Sequence, residues 1–199
     1  MDYKKIVKQG YDKCAQKYFN ARDLLKSRNA LKNLSKYLNK GAKILDIGCG
    51  AGIPIDKFLI EQGFDITGID ISPEQIKLAQ KNLPKGKFIV KDMSEIDFPK
   101  NSFDAIVSFY AIFHIKREEH QNLFNKLFSI LKPNSYLLVI MGESEWEGIE
   151  EFHGVNMFWS HYGSEKNIEI IKQAGFKIID KKIDNYDDKK HSIILAQKE

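Results

Sequence analysis

Cysteine is scarce in this chain: Cys14 and Cys49 are the only two among 199 residues. With no metal-ligand spacing around them, they exclude a disulfide framework and point to a reducing compartment, the cytoplasm. Long apolar runs are missing as well. The strongest, such as residues 136–141, fall far short of the roughly 20 residues that span a bilayer. The start, Met1-Asp2-Tyr3-Lys4-Lys5, lacks the apolar segment of a signal peptide. Arginine is almost absent: Arg22, Arg28 and Arg117 are three of 31 basic residues. The lysines are scattered among 27 acidic residues, for a net charge of +4. Phosphate and base-edge recognition leans on arginine forks, so this balance disfavours nucleic acid as a partner. No pair of the five histidines has the close helical spacing of a zinc site, and no metal is expected. Linkers, repeats and low-complexity tracts are also missing, which leaves one domain over 1–199 with a single sizeable core.

What the chain does have is a glycine-rich turn. Residues 44–52 read Ile-Leu-Asp-Ile-Gly-Cys-Gly-Ala-Gly, an apolar strand running into Gly48, Gly50 and Gly52. Glycine lets backbone turn tightly and lets a ligand lie against it without a Cβ between. Placed between strand and helix, such a turn is expected to aim bare amide donors past the strand end. The helix is signalled by Pro54 and by Ile55, Phe58 and Leu59 at helical spacing. The dinucleotide fingerprint Gly-x-Gly-x-x-Gly is excluded, because its third glycine falls on Ile53 or Ile55.

Two more acidic residues stand at later strand ends. Residues 64–70 form a second strand ending in Asp70, 24 residues after Asp46. A carboxylate there can accept hydrogen bonds from ribose hydroxyls. Ser72, Pro73 and Gln75 then read as N-cap, N1 and N3 of a capping box. A third strand, 87–91, runs into Asp92-Met93, and a fourth, 103–110, into the segment holding His114. A helix over 116–131, ended by Pro133, leads to a fifth strand at 136–141, continuously apolar as in a parallel sheet covered on both faces. Helical segments precede the glycine turn: one over 2–26 with Ile6, Tyr11, Cys14, Ala15 and Tyr18 near one face, and one capped by Asn29 and stopped at Gly41. Ser164 is read as the cap of a last helix with Gly175 at C′, before two strands at 176–183 and 192–196 joined by a polar turn at 185–190.

In the form Asp-x-Gly-x-Gly-x-Gly, the turn resembles motif I of the class I S-adenosylmethionine (SAM) methyltransferases. The likeness covers about residues 40–141. It implies an α/β fold: a single Rossmann-like methyltransferase domain with a mostly parallel seven-stranded sheet, order 3-2-1-4-5-7-6, strand 7 antiparallel, under an N-terminal helical lid. Its expected divisions are 1–40 (lid helices), 41–141 (SAM-binding core), 142–163 (substrate-side insertion) and 164–199 (C-terminal helix and hairpin). The resemblance assigns SAM, leaving as S-adenosylhomocysteine, to Asp46, Gly48, Cys49, Gly50 and Gly52 of the turn, to Asp70 for the ribose and to Ile71 beside the adenine. Asp92 then takes the adenine amino group, Met93 the ring, and Phe109 the end of the fourth strand. Tyr11 and Tyr18 look like lid tyrosines of small-molecule methyltransferases.

The fourth strand resembles motif IV, which faces the methyl group. Ser108-Phe109-Tyr110-Ala111 stands where adenine- and glutamine-methylating enzymes carry Asn/Asp-Pro-Pro-Tyr/Phe, and no cysteine nucleophile lies nearby, so both of those substrate classes are disfavoured. The expected activity is in-line methyl transfer to a small molecule, by a monomer or homodimer away from membranes. A methyltransferase of RNA or protein, and a SAM-binding module without turnover, are the alternatives. His114 is the candidate proton acceptor, because histidine titrates near neutral pH; His153 and His161 are weaker ones. Tyr110, His114, Trp146, Trp159 and His161 are the candidate substrate residues. Residues 142–163, long, aromatic and without clear periodicity, read as a lid or binding loop. The identity of the methyl acceptor is not encoded in any motif.

Overall fold

The computed structural model describes residues 2–21, 28–186 and 189–199. The apolar runs become the strands of one sheet: β1 (Lys43–Ile47), β2 (Asp65–Asp70), β3 (Lys87–Val90), β4 (Phe103–Ser108), β5 (Leu131–Gly142), β8 (Phe176–Tyr186) and β9 (Lys189–Lys198). A separate hairpin pairs β6 (Trp146–Phe152) with β7 (Val155–His161). The large sheet has the order β3-β2-β1-β4-β5-β9-β8, the expected order once the hairpin is set aside. Its first five strands run parallel, and β9 lies antiparallel between β5 and β8.

Burial on both faces explains the uninterrupted apolar strands. Leu45, Ile47, Ile106, Leu137 and Val139 pack on one face with Phe124 and Leu127 of α5 (His120–Ile130) and Ile171 of α6 (Ser164–Gln173). Ile44, Ile66, Val107 and Ile140 pack on the other with Leu31 and Leu34 of α2 (Arg28–Ser35) and Leu59 of α3 (Ile55–Glu61). The remaining helices, α1 (Tyr3–Ala21) and α4 (Pro73–Asn82), pack on one another, and α1 also packs on β7. Among the described residues, no helix is long and apolar enough to cross a membrane.

Several expectations are corrected. The insertion at 142–163 is not a loop but the β6–β7 hairpin, turned at His153 and Gly154 with φ of +53° and +87°. Its apolar residues are spaced for a strand whose inner face meets α1, where Met157 fits against Gly10. The helix expected from 116 begins at His120, after a 3-10 turn over Arg117–Glu119. The strand that follows it starts at Leu131 rather than 136, and Pro133 is tolerated because the β4–β5 register shifts there. Gly163, not Ser164, caps α6; Ser164 is buried against Ser192. Gly175 has φ +105°, as the C′ reading requires. The capping box of α4 is half formed: Ser72 Oγ accepts from Gln75 N at 3.2 Å, but Ser72 N donates to Asp70. Residues 22–27 of the expected first helix, and 187–188 of the expected polar turn, lie outside the described residues.

Candidate functional site

At the carboxyl ends of β1 to β4 lies a cleft of about 650 Å³, counted to its open mouth. Gly48, Gly50, Asp70, Ile71, Asp92, Met93, Phe109, Tyr110 and His114 line its floor and walls, and Tyr3, Lys4, Val7, Tyr11 and Tyr18 of α1 line its roof. The roof residues recur at helical spacing along one side of α1, which the sequence reading used only for the two tyrosines. Lys91, Ala111 and Ile115 also line the cleft and carried no motif to reveal them.

The glycine turn serves by its shape. Gly48 has φ +76°, and a Cβ there would collide with that of Ala111. The expected display of bare amides is not found. Gly48 N and Cys49 N both donate to Ile69 O, at 2.8 and 3.0 Å, Gly52 N donates to Cys49 O, and Gly50 N donates to Asp70 Oδ2 at 3.0 Å. The turn therefore gives close approach rather than an amide cradle. Asp70 ties two turns together, since its Oδ1 accepts from Ser72 N at 2.9 Å.

Asp92 is held similarly. Its Oδ1 accepts from Ser94 N at 2.8 Å, and Lys4 Nζ lies 2.8 Å from its Oδ2. Burial alone would raise its pKa; the Lys4 ammonium and the Ser94 hydrogen bonds overcome this and hold it below the usual carboxylate value. Lys4 thus closes the roof onto the wall assigned to the adenine. On the opposite side Ser72 Oγ donates to Asp12 of α1 at 2.6 Å.

His114 is buried at the end of β4. Its Nδ1 lies 2.8 Å from Phe158 O and its Nε2 2.8 Å from Tyr11 Oη. Burial pushes its pKa down to about 4, against the opposing effect of the Phe158 carbonyl. The ring is therefore neutral at pH 7. A carbonyl only accepts, so Nδ1 carries the hydrogen and Nε2 accepts from the Tyr11 hydroxyl. Across the cleft Tyr110, with φ +58°, donates its hydroxyl to Asp184 Oδ2 at 2.8 Å, and its ring meets that of His191 at 5.1 Å. Asp184 and His191 face each other in the β8–β9 register. Sequence reading missed both, having placed them in or beside a polar turn.

Six assigned residues stand outside the cleft lining. Asp46 is buried within β1, 2% exposed. Cys49 packs with Ile76, Ala79 and Phe88. Gly52 sits under Leu83 and Ala79 of the α4 end. Trp159 stands behind His114, ring centroids 4.4 Å apart, and supports it. His161 Nδ1 is 2.7 Å from Ser144 O, and its ring lies beside Phe113. Trp146 is 46% exposed at the hairpin's far end. The weaker candidate His153 sits at the hairpin turn against Tyr18 and Phe152. No cluster able to hold a metal occurs among the described residues.

A glycine turn, successive acidic strand tips and a helical roof bound one cleft at the carboxyl ends of the parallel strands. Known proteins resemble the chain in sequence and in fold. Residues 44–134 match the family model described as methyltransferase domain. The chain is similar to the 2-methyl-6-phytyl-1,4-hydroquinone methyltransferase of Synechocystis, 32% identical over 125 residues, 61% of this chain and 37% of that protein. It spans from about a third to three-fifths of the length of the curated relatives it matches. In structure it resembles the Burkholderia thailandensis 1,6-didemethyltoxoflavin-N1-methyltransferase, solved with its substrate and S-adenosylhomocysteine (TM-score 0.80, 20% identity, 99% of this chain and 89% of that one). It also resembles the Synechocystis magnesium protoporphyrin IX methyltransferase with bound S-adenosylhomocysteine (TM-score 0.80, 17% identity, 100% of both chains). The methyltransferase-domain match covers residues 44–134, and the fold of the whole chain is the one these solved SAM-dependent methyltransferases share.

Proposed function

We propose that this protein is a cytoplasmic SAM-dependent methyltransferase, monomeric or homodimeric, that acts on a small molecule. One observation carries the reading: a single cleft joins the Asp70 and Asp92 strand tips to the Tyr11–His114 pair. The residues fit an adenosyl group, with Asp70 for the ribose hydroxyls, Asp92 for the exocyclic amine, Ile71 and Met93 for the ring faces, and Gly48 leaving room a Cβ would fill. SAM supplies a methyl already activated on a sulfonium, so the protein has to bind, align and exclude water rather than form a covalent intermediate. Gly50, Asp70, Ile71, Asp92, Met93 and Phe109 are the proposed cofactor residues. The β6–β7 hairpin supports the acceptor end from behind through Trp159.

Tyr11 and His114 handle the acceptor's proton. An acceptor that loses H⁺ passes it to the Tyr11 oxygen while the Tyr11 proton moves to His114 Nε2, whose Nδ1–H the Phe158 carbonyl stabilises. His114 acts through Tyr11, because Tyr11 occupies its Nε2. This refines the expectation of a near-neutral histidine base: burial makes the imidazole a weak base, and the relay needs the positive charge only transiently.

Calorimetric titration with SAM tests the reading. Micromolar binding in wild type and at least tenfold weaker binding in Asp70→Ala are expected; equal affinities remove the ribose assignment. Incubation with methyl-labelled SAM and a metabolite extract then tests turnover. Label in a small molecule supports the proposal, label in RNA or protein redirects it to those substrates, and binding without transfer makes the chain a SAM-binding module.

A further inference from the structure

We propose that β8 is the contact surface for a second copy of this chain, the two β8 strands pairing antiparallel through residues 179–183 across a two-fold axis at Lys181. The proposal does not depend on the chemistry of the cleft. β8 is the last strand of the large sheet, hydrogen-bonded to β9 on one side and to no described strand on the other. Such an edge presents backbone N–H and C=O groups that another strand can satisfy. With eleven residues β8 is much longer than the opposite edge, β3, which has four. It also carries two large apolar side chains in solvent, Ile179 at 37% and Ile183 at 53% exposure.

The stretch 179–183 reads Ile-Asp-Lys-Lys-Ile and is complementary to itself when reversed. With Lys181 on the axis, Ile179 stands opposite Ile183 of the second copy, and Asp180 opposite Lys182 of the second copy; the symmetry makes each pair twice. Strand alternation puts Ile179, Lys181 and Ile183 on one face and Asp180 and Lys182 on the other. The β9 register keeps the same order, with Lys181 and Ile183 opposite Ile194 and Ser192, and Asp180 and Lys182 opposite Leu195 and Ile193. An axis perpendicular to the sheet carries each face across the join, so apolar meets apolar and acid meets base. The neighbouring two-fold registers, centred on Asp180 or on Lys182, set Ile179 against Lys181 or Asp180 against Asp184. Lysine on an edge normally deters pairing. Here Lys182 lies 3.0 Å from Asp180 and Lys181 lies 3.3 Å from Glu143, so each ammonium already has a carboxylate beside it. The register shift between Ile178 and Asp180 confines the regular ladder to this stretch. Five residues a side bury much less than the roughly 1,600 Å² of a typical stable complex, so the dimer is weak, with a Kd on the order of 100 µM. β8 also carries Asp184, which accepts from Tyr110 of the cleft at 2.8 Å, so the interface adjoins one wall of the site.

Sedimentation velocity on the full chain from about 5 µM to about 1 mM tests the proposal, because dimer formation follows mass action. Wild type is expected to pass from monomer to dimer over this range. Ile183→Thr should weaken the dimer about tenfold, and so should Asp180→Lys, which sets lysine against lysine. Combining Asp180→Lys with Lys182→Asp exchanges the charges and should restore the dimer to within about threefold of wild type. Hydrogen exchange on wild type gives a second readout that needs no variant. Amides in 179–183 should exchange more slowly at the high concentration, and those of β3 equally at both. If the exchanged variant does not fold, this comparison decides. A monomer at every concentration, assemblies larger than a dimer, a dimer unaffected by either single variant, a folded exchanged variant that stays monomeric, or exchange in 179–183 that ignores concentration overturns the proposal.

Discussion

The hydroxyl of Tyr11 lies 2.8 Å from Nε2 of His114, across 103 positions of sequence. This contact joins the roof helix α1 to the tip of β4 at the end of the cleft proposed for the methyl acceptor. The proposed proton path runs through both residues, so they are expected to act as a unit. Tyr11→Phe and His114→Asn are each expected to lower turnover by about 10² to 10⁴, with SAM affinity changed less than threefold. The double variant should be little worse than either single one, as for residues that share a step. Steady-state rates beside calorimetric SAM binding check this; additive losses would show that the two act separately.

Two buried histidines make folding stability depend on pH. Burial lowers the pKa of His114 and of His120 from 6.5 to about 4. The unfolded chain then binds more protons than the folded one between those values. Stability is complete above pH 6.5, falls as pH drops toward 4, and is constant for these groups below it. The full loss is on the order of 3 kcal/mol for each histidine. Urea midpoints at pH 7.5, 5.5 and 4.5 should fall in that order, and His120→Gln should flatten the slope. An unchanged slope in that variant would contradict the assignment.

Gly48 is held by Ala111. Gly48→Ala combines a positive φ with a collision against the Ala111 Cβ, expected to cost about 2–4 kcal/mol from conformation and overpacking together. Ala111→Gly in the same chain should restore the overpacking part and leave the conformational part. Thermal denaturation of the three variants measures both; no recovery in the double variant would place the strain elsewhere.

Lys4 latches the roof. Its pair with Asp92 is partly exposed, with side chains 33% and 14% accessible, so Lys4→Ala should alter overall stability by only about 1 kcal/mol or less. Its larger effect is expected on ligand exchange: S-adenosylhomocysteine should both enter and leave several-fold faster, because the amino-terminal part of α1 opens more readily. Stopped-flow binding gives both rates, and raised salt should reproduce part of the effect in wild type. Identical exchange rates in the variant would leave the latch without a role.

Local patterns carried much of this protein's description. Residues 44–52 announce a strand and a tight turn because apolar runs and alternating glycines are short-range constraints on backbone. The Ser72 cap and the Gly175 stop are equally local, and the strand spacing with right-handed crossovers is enough to order the parallel sheet. The strand tips at Asp70 and Asp92 follow from the same spacing. What no window of sequence contains is which distant groups meet. Ile69 O takes the amides expected to face a ligand, Lys4 reaches Asp92, Asp184 orients Tyr110, and Phe158 O sets the tautomer of His114. The hairpin at 146–161 escaped because a strand pair whose inner face meets a helix shows its alternation only once that helix is in place. Hydrogen bonds between residues tens of positions apart leave no periodic trace in the chain; their partners arise only when the sheet brings its ends together.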